Sequence, residues 1–278
     1  MLCDYHTHTV HSMDGRQTLD ELCQAAIRIG LDEVCITDHY EPHHYAPLAD
    51  IPPTIELARQ HALAIQTYPA LSIKLGIEVG DYPEYHDEIV RWLADWDLDY
   101  MLLSLHLVDG LDPYDPLYFE KYAFSRAKSY RAYAHAVLKS INSWNPSEFD
   151  ALAHLGYVAR YAPPTLATSA PAPAVNIFKW NDAPDIIDAI LTTLAQNGKA
   201  LEINTSSYRT TGEPTPGSDI LKRFRELGGE FIMFGSDAHI PAHIGFEFAR
   251  AHAMARALGF RHTLRFNKRT AIPIAIPQ

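Results

Sequence analysis

Asp99-Tyr100-Met101-Leu102-Leu103-Ser104-Leu105-His106-Leu107 is the stretch from which the fold can be read. Met101-Leu102-Leu103 is apolar without the period-two alternation of a half-solvated strand, as expected where both faces of a sheet are covered. That is the habit of a parallel sheet. On either side the pattern turns helical, at 85–96 before it and at about 117–144 after it. Working outward, further strands are expected at 2–9, 33–37, 71–79, 151–155, 200–204 and 231–235. Helices are expected between them at 18–29, 54–68, 183–197 and 217–227, with a last one at 243–258. Thr18 followed by Asp20 and Glu21 is a helix start with a cap and early acids, and Gly30 and Gly198 are stops. Strands alternating with helices through about seven repeats predict a closed (β/α) barrel in the α/β class rather than an open sheet.

The length agrees. A chain of 278 residues is close to the ~250 typical of one such barrel, so a single domain over 1–278 is expected. One segment breaks the pattern: 162–174 holds Pro163, Pro164, Pro171 and Pro173 and cannot be regular helix or central strand. Placed directly after a strand end, it reads as an irregular lid or substrate wall.

The polar residues that close the apolar runs carry the chemistry. His6 and His8 alternate along a strand and so share a face. Thr37-Asp38-His39, Gly76-Ile77-Glu78, Ser104-Leu105-His106, Ala153-His154 and Gly235-Ser236-Asp237-Ala238-His239 each follow a strand. Functional groups of parallel barrels collect at the carboxyl ends of strands, so these scattered residues share one address. Neutral imidazoles with a few carboxylates and no thiolates suit Zn, Mn or Fe. A carboxylate such as Glu78 can bridge two ions with its two oxygens, and ions ~3.5–4 Å apart stabilise both the attacking and leaving oxygens of a phosphoryl group. The expected chemistry is hydrolysis of a phosphate ester.

Composition narrows the alternatives. A formal charge of −11 without an acidic tail argues against a nucleic-acid footprint. No apolar run approaches the ~18 residues needed to cross a bilayer, and the start lacks a basic and apolar signal segment, so a soluble cytoplasmic protein is expected. Cys3, Cys23 and Cys35 are odd in number and widely spaced, which fits buried apolar residues better than a disulfide framework or a thiolate metal site.

His6-Thr7-His8-Thr9, Ser12-Met13-Asp14-Gly15 and the strand-end groups quoted above together resemble the polymerase and histidinol phosphatase (PHP) family over Asp4 to about Phe260. The stretches running from His154 to Tyr161 and from Leu201 to Arg209 are most similar to its histidinol-phosphatase members. The resemblance implies a distorted, TIM-like (β/α)7 barrel with a trinuclear divalent metal site. It would place one metal on His6, His8, Glu78 and Asp237, a second on Glu78, His106 and His154, and a third on Asp14, His39 and His239. The first ligand of the third metal is often histidine in this family; here Asp14 matches it, and His11 lies three residues earlier. Arg160 and Arg209 match positions associated with phosphate, and a planar guanidinium suits a phosphate monoester. Glu78, Arg160 and Arg209 are thus the expected catalytic residues, with the two arginines also binding substrate. The implied partner is a small phosphorylated metabolite, L-histidinol phosphate, in histidine biosynthesis. A PHP phosphoesterase acting on nucleotides, an amidohydrolase-type enzyme and a non-catalytic metal-binding domain are the competing readings. Asp38 is expected to orient a ligand histidine, and His43 and His44 to lie near the pocket without binding metal.

Overall fold

Parallel pairing organises the chain. In a computed structural model that describes residues 1–42, 51–166 and 176–278, the strands are β1 (Cys3–Thr7), β2 (Glu33–Ile36), β3 (His39–Tyr40), β4 (Ser72–Gly80), β5 (Tyr100–Ser104), β6 (Ala151–Leu152), β7 (Ala200–Asn204) and β8 (Ile232–Gly235). They pair in the order β1-β2-β4-β5-β6-β7-β8, with β3 also on β4. Ile36 is paired with Leu75 and His39 with Glu78, so β2 and β3 are one strand interrupted at Thr37-Asp38. Closure comes just beyond β8, where the Asp237 N–H donates to His6 O at 2.8 Å and the His8 N–H to Ala238 O at 2.9 Å. The result is a nearly closed barrel of seven parallel strands.

Around it run α1 (Leu19–Arg28), α2 (Thr54–Thr67), α3 (His86–Leu93), α4 (Pro116–Lys121), α5 (Arg126–Ser143), α6 (Pro184–Gln196), α7 (Ser218–Glu226) and α8 (Phe248–Ala257). Strand residues divide between two layers: Leu201, Ile203, Ile232 and Phe234 pack outward on helix residues such as Ile190 and Phe224. Ala200, Met233, Leu102 and Ala151 fill the barrel interior with Tyr5 and Tyr100. No helix among the described residues is long and apolar enough to cross a membrane.

Three features differ from the sequence reading. The helix expected at 117–144 is two, because Ala123 and Phe124 take positive φ (53° and 51°) between them. The apolar period ran through the break because both helices bury a face in the same core. The last helix starts only at Phe248, since Gly245 (φ 62°) and Glu247 (φ 56°) turn the chain first. Third, a C-terminal hairpin, β9 (His262–Asn267) with β10 (Thr270–Ala275), closes the lower end of the barrel. Its two turn residues, Lys268 and Arg269, both have positive φ, the conformation of a tight hairpin turn. Without Gly or Asn-Gly there, and with Pro273 inside the second strand, the sequence carried little hairpin signal. Of the proline-rich segment 162–174, residues 162–166 are described, with a 3-10 turn at Pro164–Leu166; the remainder lies outside the described residues.

The hairpin is tied in by Phe266. Its ring meets Tyr5 edge-on at 5.7 Å and lies 4.7 Å from Tyr100, and its N–H donates to the Tyr5 hydroxyl at 2.6 Å. Tyr5 in turn donates to Glu33 at 2.6 Å, and Glu33 pairs with Arg265 at 2.8 Å. Phe266→Ala is expected to destabilise the protein by about 3–5 kcal/mol, the range for removing a fully packed phenylalanine. Denaturant unfolding measures it, and a loss below about 1 kcal/mol would mean that the hairpin only rests against the barrel.

Candidate metal centre

The upper end of the barrel gathers every residue the sequence reading singled out as a metal ligand. One extra residue in β1 between Asp4 and Thr7 shifts its register against β2. The bulge lets Tyr5 pack into the lower interior while its neighbour His6 reaches Glu202 and Glu78 above. Gly235 permits that approach: a Cβ there would lie 2.2 Å from Glu202 Oε1 and 2.4 Å from His6 Cβ.

Glu78, on β4 and 1% exposed, is the hub. Its Oε2 lies 3.1 Å from His6 Nε2, 3.1 Å from His39 Nδ1 and 3.5 Å from His8 Nε2. Its Oε1 lies 2.9 Å from His154 Nε2 and 3.6 Å from His106 Nε2. Asp237 Oδ1 is 3.7 Å from His6 Nε2, 3.6 Å from His8 Nε2 and 3.5 Å from His239 Nδ1. At the outer edge Asp14 Oδ1 is 3.1 Å from His239 Nε2 and 3.6 Å from His39 Nε2. His11 is not part of this group; its Nε2 bonds Gln60 Oε1 at 3.0 Å, which leaves Asp14 as the residue placed for the third set. His43 and His44 lie outside the described residues.

Outer partners decide which ring nitrogens face the centre. Glu202 Oε1 accepts from His6 Nδ1 at 2.6 Å while its Oε2 accepts the His154 N–H at 2.6 Å, so one buried carboxylate holds two candidate ligands. Ser12 gives its single hydroxyl proton to Asp38 at 2.7 Å and therefore accepts from His8 Nδ1 at 3.0 Å. Asp38 thus orients His8, through Ser12. Glu41 takes His106 Nδ1, and the Asp237 carbonyl takes His239 Nδ1 at 3.0 Å. With Nδ1 protonated, Nε2 of His6, His8, His106 and His239 carries a lone pair toward the interior.

Three of the inward nitrogens, His8 Nε2, His39 Nδ1 and His239 Nε2, are buried without a hydrogen-bond partner among the described residues. Unsatisfied buried acceptors are costly unless a cation uses them. The ligand atoms fall into compact sets within 4.8 Å of one another, namely His6-Glu78-His154, His6-His8-Asp237, His8-His39-His239 and His39-Glu41-His106. The donors thus fit borderline divalent metals in number, type and spacing.

The protein's own charges act differently on the individual rings, before any cation is added. Burial disfavours charge on His6, yet Glu202, Glu78 and Asp237 outweigh it and hold its pKa well above the usual value. Burial would likewise raise Glu78 and Asp237, but His6 and His39 hold Glu78 well below the carboxylate range and Arg160 and His6 do so for Asp237. His8 goes the other way: burial and the facing His239, His39 and His6 push it well down, the neutral state a ligand needs.

The two arginines are placed differently. Arg160 is partly buried, with Nη2 2.8 Å from both Asp237 Oδ2 and Ser206 Oγ. Arg209 is on the rim, its guanidinium 5.6 Å from the Phe246 ring centroid, and lines a cavity together with Arg160, Asp237 and His239. Ser12 and Glu202 lie in stretches the sequence reading quoted, but neither they nor Glu41 were given a role. A carboxylate alternating with Asn204 inside the apolar strand Ala200–Asn204, and one two residues beyond His39, were the available signals.

Comparison with known proteins agrees with the geometry. The family model described as the PHP domain matches residues 4–206. A probable histidinol-phosphatase of Thermotoga maritima is 31% identical over 88% of this chain and 87% of its own length. The histidinol-phosphatase of Lactococcus lactis is 28% identical over 95% of this chain and 94% of its own. A crystal structure of histidinol phosphate phosphatase from Lactococcus lactis, complexed with zinc, L-histidinol and phosphate, superposes with a TM-score of 0.83 at 28% identity, covering 98% of each chain.

Proposed function

The chain belongs to the PHP family, and from that premise we propose that it hydrolyses L-histidinol phosphate to L-histidinol and inorganic phosphate, a cytoplasmic step of histidine biosynthesis. The observation that carries the reading is the convergence of five imidazoles on Glu78 beside Arg160. It occurs in a chain similar from end to end to a protein crystallised with zinc, L-histidinol and phosphate.

One metal is assigned to His6, His8, Glu78 and Asp237, a second to Glu78, His106 and His154, and a third to Asp14, His39 and His239. Zn, Mn and Fe all suit these donors. Bound there, such ions supply Lewis acidity toward phosphoryl oxygens and lower the pKa of water toward about 7. The protein's own groups do the rest. Glu202, Ser12 and Glu41 hold His6, His8 and His106 in the orientation that presents Nε2. Arg160, fixed by Asp237 and Ser206, offers its remaining N–H groups to the phosphoryl oxygens, over which negative charge spreads in the transition state. Arg209 adds a second positive charge from the rim.

Phosphate release from L-histidinol phosphate and from nucleoside monophosphates, with Zn, Mn or Fe supplied in turn, tests the reading. Histidinol phosphate is expected to be favoured in kcat/KM by on the order of 10²-fold. Equal or faster release from the nucleotides would replace the substrate, and no release from any ester with any metal would end the hydrolase reading.

A further inference from the structure

The barrel is least regularly paired where it closes. Among the described residues β1 and β8 form no continuous ladder; Thr7 and Ala238 make an isolated parallel bridge, beside the Asp237 and His8 N–H bonds given above. Candidate ligands stand on both sides of this seam, His6 and His8 on one and Asp237 and His239 on the other.

A buried carboxylate crosses it. Asp4, on β1, accepts the Ser236 N–H at 2.9 Å and the His6 N–H at 3.3 Å on Oδ1, and the Ser236 hydroxyl at 2.5 Å and the Gly245 N–H at 2.9 Å on Oδ2. Glu202, Glu41 and Asp38 act on imidazole rings, directly or through Ser12. The bonds of Asp4 go instead to backbone N–H groups and to Ser236.

The turn it grips is strained. Asp237 has a φ of 52°, the left-handed region that aspartate enters more readily than most residues but still at a cost. Held there, Asp237 faces His6, His8 and His239 with Oδ1 and Arg160 with Oδ2. Such strain persists only where surrounding bonds over-determine it. Around Asp237 these are the Asp4 bonds to Ser236, the Asp237 N–H bond to His6 O at 2.8 Å, and the Gln17 amide, which donates to Ala238 O at 3.0 Å and to His8 O at 2.8 Å.

We propose that Asp4 is a positioning residue of the metal centre: through Ser236 it holds Asp237 in its left-handed conformation and so sets the geometry of the ions bound at the seam. The inference rests on the metal assignment made above. The ion assigned to His6, His8, Glu78 and Asp237 spans the seam, and the one assigned to Asp14, His39 and His239 depends on the same turn. The ion on Glu78, His106 and His154 does not. A carboxylate is required, because four donors point at it and only the Ser236 hydroxyl can turn its proton away. Asparagine would set its N–H₂ group against the Gly245 N–H in one orientation and against the Ser236 and His6 N–H groups in the other.

The test measures zinc content by elemental analysis and zinc affinity by competition with a chromophoric chelator, on the parent, Asp4→Asn and Phe266→Ala. Phe266, packed on Tyr5 and Tyr100 at the lower end of the barrel, controls for loss of stability alone. Asp4→Asn is expected to weaken two of the three ions by about 10- to 100-fold, the loss that follows removal of a group orienting a ligand, and to leave the third unchanged. Its rate of phosphate release returns toward that of the parent when zinc is in excess, and Phe266→Ala keeps the parental affinity. Full zinc affinity in a folded Asp4→Asn, equal weakening of all three ions, or the same weakening in Phe266→Ala would overturn the role of Asp4 and leave the metal centre standing. A parent that holds fewer than three ions would overturn the metal assignment and this inference with it. Should Asp4→Asn fail to fold, Ser236→Ala removes the hydroxyl bond alone and is expected to weaken the same two ions by about two- to tenfold, the worth of one hydrogen bond. Unchanged binding in that variant would likewise overturn the proposal.

Discussion

Replacing Glu78 by glutamine is expected to lower kcat for phosphate release by more than about 100-fold and to strip metal from the protein. Loss of a group that merely orients a ligand costs about 10- to 100-fold in metal affinity or activity. Glu78 is assigned as a shared ligand, with Oε2 facing His6, His8 and His39 and Oε1 facing His106 and His154. Glutamine keeps the volume, so the barrel should fold. It removes the negative charge, however, and turns an N–H₂ group toward ring nitrogens that need a cation. Metal content and steady-state rate, measured on the same preparation with a circular dichroism control, decide the matter. A variant within tenfold of the parent in rate would show that the hub is structural.

Arg160→Ala is the second large effect, with kcat expected to fall about 10²- to 10³-fold, as for removal of a preorganised donor aimed at developing negative charge. The metal should stay. Asp237 Oδ2 keeps Asn204 Nδ2 at 3.2 Å and Ser206 Oγ at 3.3 Å after the guanidinium is gone, while Oδ1 still faces His6 and His8. Arg160→Lys restores a charge but not the planar fork, so it should recover only part of the rate. Metal analysis separates the alternatives. A parallel loss of metal and rate would reduce Arg160 to a support for Asp237, and full activity in Arg160→Lys would make it a simple point charge.

How much of this was legible in the residues can be traced case by case. Apolar runs without alternation exposed the parallel strands, and polar residues at their ends exposed the centre, because a buried parallel strand has no other place for a histidine or acid that must reach a ligand. Met101-Leu102-Leu103 followed by His106 shows both signals at once. The choice between Asp14 and His11 was not open to spacing alone; it depends on the turn that sends His11 toward Gln60. Glu202 and Glu41 act one step out, on the far nitrogens of His6 and His106, and a buried acid in a strand looks the same in sequence whether it meets a metal or a ligand histidine. The bulge in β1 left no trace, because one extra residue in a strand preserves the His6-x-His8 spacing. Where the long helix breaks, the apolar period continues across Ala123 and Phe124, so only backbone angles reveal the turn.

The central claim is that imidazoles and carboxylates from six of the seven barrel strands form one multi-metal cage. Metal stoichiometry measures it most directly, by elemental analysis of protein reconstituted with Zn, Mn or Fe and freed of loosely held ions. Three ions per chain in the parent, with a sharp deficit in Glu78→Gln, is the predicted result. One ion or none in the parent, or a full complement in the variant, would contradict the account.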